Sequence, residues 1–544
     1  AACFPHRPAA RVNATRPRLA AMAEYEDEKL RDAVQGLRDR APAAQVQALA
    51  ALSKYGEEGA TYADRVEKML QSQDEQVVVA ALNALSLMGT YAAYSVPSVA
   101  TCLAGASIDI RLAALQALGK MQASSYVDTI AQCLSDPSPA VTCAACGAME
   151  CLGKDASGAA AGVAKVLTSQ DPDAKAAALK CLGAMGDDAL AHCSAICGCL
   201  QDEDVLVREA ATTVFSKMSD ASSLVPFAAN LLSAKEGWAR CAAATALGAA
   251  GEQASSSAPT IAKLLGDDFE DKHVAALSAA CIGGKVKATM RMPRCAAAEA
   301  LGKVGAEGWK FADEVAKLLA DKSPEVKAVA AAALGAMGSA GAGHEAAVRG
   351  LFKDSDTRVA AAAIAAVGQM GQTLGGSGKE SVDAVVKMLL SQQPAVRCSA
   401  AGALGSMGEC VFPHIEKILK CFEDRCPQVK AAALHSLAAI GPRGQVYAAN
   451  AARVMQDTWT LPSVRIAALD SLAGMEARGA AFAEEIAELL VDSEADVRAA
   501  AAMTLGSFGM EALPLLSYVE EARSDPVASV RQAAAEASER ICRG

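Results

Sequence analysis

Large aromatic side chains are scarce in this sequence. Only 4% of its 544 residues are Phe, Trp or Tyr, although 52% are hydrophobic, because alanine supplies much of the apolar content. Such a chain cannot fill a core with large side chains, but it can bring helices close together through small ones. Its length also exceeds what one compact core accommodates, so we expect several domains or an array of repeats.

Cationic residues are outnumbered as well. The chain has 51 Lys and Arg against 62 Asp and Glu, a net charge of −11, which argues against general binding of nucleic acid through a basic surface. Charge is missing altogether from residues 76–108, but Asn83, Gly89 and Pro97 interrupt that run. A membrane span needs about 20 mainly apolar residues in one continuous helix. We therefore expect a soluble protein without a membrane span.

The first 21 residues differ in kind from the rest. They hold four Arg, several Pro and no acidic residue, and Met22 follows them. An Arg-rich, acid-poor leader is typical of organelle transit segments, and translated upstream sequence would have the same appearance. We expect residues 1–22 to be a disordered leader and residues 23–544 to form a single solenoid.

A repeat runs through nearly all of that folded part. One clear copy is DKSPEVKAVAAAALGAMG at 321–338, in which an apolar residue precedes Lys and an alanine run ends in Leu-Gly-x-Met-Gly. We take the residue before the basic one as the anchor of each copy. Most anchors are 31 to 35 residues apart, one step is 37 and one is 19, and the anchors are Ala44, Val77, Ile110, Val141, Ala174, Val207, Ala239, Val274, Pro293, Val326, Val359, Val396, Val429, Val464, Val497 and Val530.

Each copy predicts two helices and no strand. The first helix has apolar residues at helical spacing, such as Val315, Leu318 and Leu319. A turn with Asp, Ser and Pro follows and caps the second helix, which ends at a glycine suited to a left-handed conformation. One pair cannot hide its apolar face, but stacked neighbours can. The sequence therefore predicts an all-α solenoid.

The pattern D-x4-V-[RK]-x-A-A-x-x-[AL]-L-G-x-[MI]-G resembles HEAT repeats, especially the short variety found in phycobilisome-lyase-like proteins. The resemblance covers about residues 25–542. It implies a right-handed superhelix of about 15 HEAT-like helix pairs. It also implies a role as a scaffold, adaptor or transport factor, since only a minority of HEAT proteins are enzymes.

A basic residue follows most anchors, from Arg111 to Arg531, and an Asp often lies five residues before the anchor, from Asp136 to Asp525. These residues could form a phosphate-binding track of Arg side chains. They could instead form a ladder of Asp–Arg pairs that ties neighbouring repeats together, as in HEAT families. We favour the ladder, because a residue that recurs once per repeat in fixed register is what a nearest-neighbour interface requires.

The 18 Cys and three Trp are also candidate functional residues. Spacings that occur in zinc sites are present in Cys143-x2-Cys146 and His192-Cys193-x3-Cys197-x-Cys199. Many Cys, however, fall at repeat positions that other copies fill with Ala, Ser, Leu or Met, as small hydrophobes do. We expect no metal and no other cofactor, a reducing compartment, and Trp side chains that pack against loops.

Signatures of enzymes are few. No G-x-S-x-G, phosphate loop or metalloprotease pattern is present in the sequence. Deoxyhypusine hydroxylase, a HEAT enzyme, holds iron with several His-Glu pairs, and only His344-Glu345 matches here. We therefore predict a non-catalytic scaffold or adaptor that binds a protein partner, acting as a cytoplasmic monomer. The alternative is a bilin lyase-like or chromophore-protein assembly factor, which rests on fold analogy alone.

The step of 19 residues, from Val274 to Pro293, defines an irregular unit over residues 267–294. Two copies of the second helix stand almost back to back there, as in a decayed repeat or an error of gene assembly. The functional interpretation is that the segment interrupts the stack and projects a basic loop, since insertions in repeat arrays often carry binding. We expect residues 272–294 to contact an acidic partner through Lys272, Lys285, Lys287, Arg291 and Arg294.

Overall fold

A computed structural model describes residues 30–55, 59–105, 107–272, 290, 292–371, 373 and 378–543. These residues form helices joined by turns, with no β-strand among them. They fall into two compact units, an N-terminal unit that ends at Glu314 and a C-terminal unit that begins at Val315. The predicted all-α array of helix pairs is confirmed. The leader at 1–22 lies outside the described residues, and a single continuous solenoid stays a prediction.

Fifteen anchors lie in the second helices of their pairs, and the sixteenth, Val274, lies outside the described residues. In the N-terminal unit these helices are α1 Pro42–Leu52, α2 Glu75–Met88, α3 Ile108–Lys120, α4 Pro139–Leu152, α5 Pro172–Met185, α6 Val205–Lys217, α7 Gly237–Ala250 and α8 Pro293–Lys303. In the C-terminal unit they are α9 Pro324–Ala336, α10 Thr357–Met370, α11 Pro394–Ser406, α12 Pro427–Ala439, α13 Pro462–Ala473, α14 Ala495–Ser507 and α15 Ala528–Arg543.

The first helices are shorter, and several continue as a 3-10 turn. Residues 30–36 are helical before α1. The following first helices, in chain order, are Ala63–Lys68, Val96–Thr101, Val127–Gln132, Ala160–Val166, Cys193–Gly198, Val225–Leu231, Ala258–Lys263, Ala312–Lys317, Glu345–Gly350, Gly378–Met388, Ile415–Lys420, Ala448–Gln456, Ala483–Ala487 and Leu516–Ala522. The chain therefore alternates a short first helix with a longer, alanine-rich second helix.

Local chemistry sets the ends of the second helices. The side chain of Asp74 accepts hydrogen bonds from the backbone N–H groups of Gln76 and Val77 at 2.9 and 3.3 Å, and so caps α2. Eight second helices begin instead with Pro, whose missing N–H is no loss there. Nine glycines near the helix ends have positive φ, from 54° at Gly338 to 96° at Gly441. The predicted side-chain capping is confirmed at Asp74, Ser107, Asp204 and Asp356, and the predicted glycines do adopt positive φ.

Neighbouring second helices stack through small residues. A Cβ added to Gly368 of α10 would lie 2.6 Å from Cα of Ala403 in α11, and one added to Gly119 of α3 would lie 2.9 Å from Cα of Ala148 in α4. Only glycine allows two backbones to approach this closely. Leu and Met side chains such as Leu82, Leu404 and Met88 are fully buried beside these contacts, which explains how an aromatic-poor chain closes its core.

The uncharged run of the sequence contains the second helix of one pair and the first helix of the next pair. By length and composition the helical stretch Glu75–Ala104 would suffice to cross a membrane. The structure divides it, because α2 ends at Met88, Gly89 adopts a φ of 58°, and the next first helix begins at Val96. Since α2 has only 14 residues and a span needs about 20 in one helix, we interpret the run as repeat core.

The irregular unit is an insertion and not a break in the stack. The first helix Ala258–Lys263 packs against α8, and α7 packs directly against α8. A Cβ on Gly248 of α7 would lie 2.9 Å from Cα of Ala300 in α8, the spacing seen between other stacked pairs. The expectation that this segment interrupts the stack is therefore wrong. Residues 273–289 of this unit lie outside the described residues.

Candidate protein-binding surface

Ion pairs between successive repeats form the predicted ladder. In each, a basic residue of one second helix contacts the Asp in the turn before the next second helix. Side-chain N–O distances are 2.6 to 2.9 Å in six pairs, and the seven pairs are Arg111–Asp136, Lys175–Asp202, Arg240–Asp267, Lys327–Asp354, Arg397–Asp424, Arg465–Asp492 and Arg498–Asp525. The ladder is confirmed, and these cations are engaged within the protein.

The Arg residues of the ladder also hold their own turns. Nη1 of Arg498 donates to the carbonyl of Asp492 at 2.8 Å, while Nε and Nη2 donate to Asp525 at 2.7 and 2.8 Å. Hydrogen bonds from the Arg397 guanidinium lower the pKa of the Asp424 carboxyl from its ordinary value. Each rung thus fixes two turns on one edge of the array, and a phosphate track is not needed to explain it.

One rung of the ladder is rearranged. By register, five residues before the anchor Ala239, the partner of Arg208 would be residue 234, which is Ala. Arg208 is 1% exposed, and its Nη2 lies 3.7 Å from Oδ2 of Asp271, in the turn that leads into the insertion. Phe269 of that turn packs edge-on against Trp238 at 6.4 Å between ring centroids. The start of the insertion is therefore held against α6 and α7.

The cations predicted to bind an acidic partner are only partly described. Lys272 is exposed. Arg294 has a side chain only 13% exposed, and its Nη1 donates to the carbonyl of Asp267 at 3.3 Å. Lys285, Lys287 and Arg291 lie outside the described residues. Contact with an acidic partner through these residues stays a prediction.

The cysteines behave as repeat-core residues. Cys146, Cys181, Cys197 and Cys199 are buried, and burial raises the pKa of Cys146 and of Cys197 to about 12. Thiols that stay protonated are poor zinc ligands. Within the described ranges, no three His, Cys, Asp or Glu side chains come together in a way that could hold a metal ion.

The tryptophans differ from one another. Trp238 packs against Phe269 of a turn, as expected, whereas the indole N–H of Trp309 donates to the carbonyl of Gly302 in α8 at 3.3 Å. Trp459, in the turn before α13, is 96% exposed, so the expectation that it packs against a loop is wrong. Asp457 accepts the Trp459 N–H at 3.0 Å and so shapes this turn.

An open groove of about 990 Å³ lies between α1, α2 and α3 of the N-terminal unit. The residues of α2 and α3 that line it occupy the same repeat positions: one before the anchor, and two, three and six after it. These are Gln76, Val79, Ala80 and Asn83 of α2, and Asp109, Leu112, Ala113 and Gln116 of α3. Asp74 and Glu75 complete the lining, which contains no cation.

A second groove, of about 410 Å³, lies three repeats further along the same unit. It is lined at the same repeat positions by Asp173, Ala176, Ala177 and Lys180 of α5, and by Leu206, Glu209, Ala210 and Thr213 of α6, with Glu150 of α4 beside them. Acidic side chains again outnumber the cation. We call the residues at these positions on α2 to α6 the second-helix face.

The part of this face on α4 has only small side chains. The same repeat positions are filled by Cys143, Ala144 and Gly147, and a Cβ added at Gly147 would meet no atom within 4 Å. Two acidic grooves, of which the first is also lined by Asn and Gln amides, thus flank a smooth strip. The lining residues are helix-surface positions with hydrogen-bonding and charged groups, suited to holding another chain.

The sequence also has polar residues on this face that belong to none of the motifs described above. Polar residues recur six positions after the anchor in the N-terminal repeats, as Asn83, Gln116, Lys180 and Thr213. At the same position the C-terminal repeats have Ala332, Ala365 and Gly402, but also His435, Asp470 and Glu536. This position alone therefore does not distinguish the two halves of the chain.

Family models match several parts of the chain. HEAT repeats match residues 312–373, 344–438 and 459–539, and the PBS lyase HEAT-like repeat matches residues 110–136. No curated protein matches the sequence.

Solved structures share the architecture. Yeast importin-beta aligns over 95% of this chain and 84% of its own, with 13% identity and a TM-score of 0.53. Importin beta in an ammonium sulfate condition aligns over 96% and 86%, with 14% identity and a TM-score of 0.49. At this identity the likeness to the yeast protein concerns the fold alone, a helical solenoid. The chain therefore contains HEAT repeats, which the family models match at residues 110–136, 312–438 and 459–539.

Proposed function

We propose that this protein is a non-catalytic scaffold that binds a partner protein along the second-helix face of its N-terminal unit. The observation that carries the proposal is the repetition of one lining pattern in two grooves. A surface that repeats with the helices suits an extended segment of another chain, because such a segment also presents its side chains at regular intervals.

The charge of the grooves indicates the chemistry of that segment. The first groove is lined by Asp74, Glu75 and Asp109, and the second by Glu150, Asp173 and Glu209 with Lys180. Charged groups on binding surfaces are complementary to those of the partner and speed its encounter. The segment we propose therefore carries several Lys or Arg, with small or polar residues between them.

The lyase alternative has less support. The match to the PBS lyase HEAT-like repeat covers residues 110–136, which include the ladder pair Arg111–Asp136 at 2.9 Å. That pair joins neighbouring repeats, so the match is explained by a structural contact and does not require catalysis. Fold analogy alone does not assign an activity.

The thiols bear on the compartment in which we propose that the protein acts. The sixteen described Cys are all free. Proteins that keep many unpaired thiols are typical of reducing compartments. We accordingly propose that the scaffold works in the cytoplasm.

The test uses a fluorescein-labelled 12-residue peptide of alternating Lys and Ser, with a Glu-Ser peptide as its counterpart. Fluorescence anisotropy should show that the full chain binds the Lys peptide and that added salt weakens binding. Asp109→Asn and Asp173→Asn each neutralise one groove carboxylate. Each should weaken binding about two- to fivefold, as expected for an exposed charge pair.

Asp128→Asn is the matched control, because Asp128 is an exposed acid on the first helix Val127–Gln132 of the same unit. It should leave affinity unchanged. Equal weakening by all three variants would mean that net charge and not the second-helix face governs binding. Equal binding of both peptides by the folded chain would reject a basic partner.

A further inference from the structure

Two half-buried thiols of the C-terminal unit meet at one residue. Cys398 belongs to α11, and Cys426 lies immediately before α12. The Cys426 thiol donates to Oε1 of Gln428 at 2.9 Å, and the Cys398 thiol donates to the backbone carbonyl of Gln428 at 3.6 Å. Two cysteines from neighbouring repeats thus share one contact residue, on the solvent-accessible side of the stack.

Cys426 occupies an unusual position for a thiol. It is the residue that precedes the second helix, where other repeats have Ser or Asp, such as Ser138, Asp171 and Ser323. Its backbone N–H donates to Oδ1 of Asp424 at 2.8 Å, and Asp424 is the ladder partner of Arg397 at 2.7 Å. The ladder therefore holds Cys426 in place beside α11.

Other thiols of the described chain lack either access to solvent or a contact residue shared with a second thiol. Cys146 and Cys181 come from neighbouring helices, but both are fully buried, so an aqueous oxidant does not reach them. Cys151, Cys410 and Cys542 are exposed, but no contact joins any of them to a second thiol in the way that Gln428 joins Cys398 and Cys426. Accessibility and a neighbouring thiol coincide at this pair.

We propose that Cys398 and Cys426 form a redox-active pair, which hydrogen peroxide converts into a disulfide between α11 and α12. Peroxide transfers one oxygen to the first thiol, giving a sulfenic acid and one water. The second thiol attacks the sulfenic sulfur, the S–S bond forms, and a second water leaves. Overall two thiols and one peroxide give one disulfide and two waters.

The order of events follows from burial. Burial raises the pKa of the Cys398 thiol, and this slows its reaction with peroxide, because the thiolate is the nucleophile. Peroxide therefore attacks Cys426, and Cys398 resolves the sulfenic acid. Bridging requires the Cys426 thiol to rotate away from the Gln428 amide, and the resulting bond fastens two repeats beside the Arg397–Asp424 pair. Thiol reductants of a reducing compartment reverse it.

The experiment treats the full reduced chain with equimolar hydrogen peroxide, blocks remaining thiols, and maps peptides by mass spectrometry without reduction. We expect a linked peptide pair containing Cys398 and Cys426, about 2 Da lighter than the two thiol peptides, which dithiothreitol separates. Hydrogen exchange in α11 and α12 should slow in the oxidised protein, since the cross-link restricts their opening.

Cys426→Ser keeps a good capping residue, and Cys398→Ala introduces the residue that Ala176 supplies at the same position of α5. Each should abolish the linked peptides in a folded protein, while Cys410→Ser should preserve them. Trapping of Cys426 as a sulfenic acid by dimedone with no linked peptide would overturn the proposal. Disulfide-linked dimers through Cys151, Cys410 or Cys542 as the sole product would do so as well.

Discussion

Glu476 occupies a backbone conformation that ordinarily belongs to glycine. Its φ and ψ are 50° and −133°, at the position where the preceding and following repeats have Gly441 and Gly509. A non-glycine residue in such a region costs about 1–3 kcal/mol. Glu476→Gly should therefore raise the free energy of unfolding by roughly 1 kcal/mol, after the added chain entropy of glycine is subtracted. Urea unfolding measures the difference.

Glu476→Ala separates backbone strain from charge. Alanine removes the carboxylate but keeps a Cβ in the strained conformation, so it should not stabilise the protein. An equal gain from alanine and glycine would show that the charge, and not the backbone, is the cause.

Arg498 illustrates what one rung of the ladder contributes. Its side chain is 9% exposed and that of Asp525 is 3% exposed, with two hydrogen bonds of 2.7 and 2.8 Å between them. Arg498→Ala would leave a buried carboxylate without its cation, which costs about 3–5 kcal/mol. We expect a loss of that size in chemical unfolding of the full chain.

Arg523→Ala serves as the matched control for that change. Arg523 pairs with Glu520 at 3.0 Å in the same repeat, but both side chains are about half exposed. Exposed pairs contribute at most about 1 kcal/mol. If the two variants lost similar stability, the ladder would not be more important than an ordinary surface pair.

At the scale of the helix, glycines that touch a neighbour differ from glycines that face solvent. Gly368 of α10 lies so close to α11 that an added Cβ would be 2.6 Å from Cα of Ala403, whereas one at Gly402 would meet nothing within 4 Å. Gly368→Ala should cost about 1–3 kcal/mol through overpacking. Gly402→Ala should gain about 0.5–1 kcal/mol, because alanine is the better helix former. Thermal unfolding of both variants checks the opposite signs.

The second helices could be predicted from the sequence because each repeats one set of contacts. A fixed anchor, a ladder residue and a closing glycine recur in register, so fifteen anchors fall in second helices. The prediction that residues 267–294 interrupt the stack was wrong, because the copy HVAALSAACIGG has the periodicity of a second helix. Periodicity does not tell which of two copies packs on α7, and the structure shows that α8 does.

The candidate binding surface was harder to predict for a different reason. Asp109 and Asp173 lie one position before their anchors, where other repeats have Leu206 or Trp238. A residue that varies between repeats does not stand out as a motif, yet neighbouring helices bring such residues together into one groove. The motif-bearing residues, by contrast, are occupied in holding repeats together.

At the scale of the whole molecule, stability should be local. Within each unit a second helix touches the second helices next to it, so a repeat array behaves as a chain of coupled neighbours and not as one cooperative core. Opening of one repeat then weakens only the adjacent ones, and different segments open with different free energies. Gly368→Ala provides a defined weak point between α10 and α11 from which the range of coupling can be measured.

We expect hydrogen exchange of Gly368→Ala to quicken in α10 and α11, to quicken less in α9 and α12, and to be unchanged in α14 and α15. Gly402→Ala, one residue from the contact, should slow exchange in α11 and leave the same distant helices unchanged. In a single cooperative core every slow amide exchanges through the same global opening, so both variants would shift α14 and α15 as much as α11. Uniform shifts of that kind would contradict nearest-neighbour stability, whereas a change that fades over one or two repeats would measure how far one helix stabilises the next.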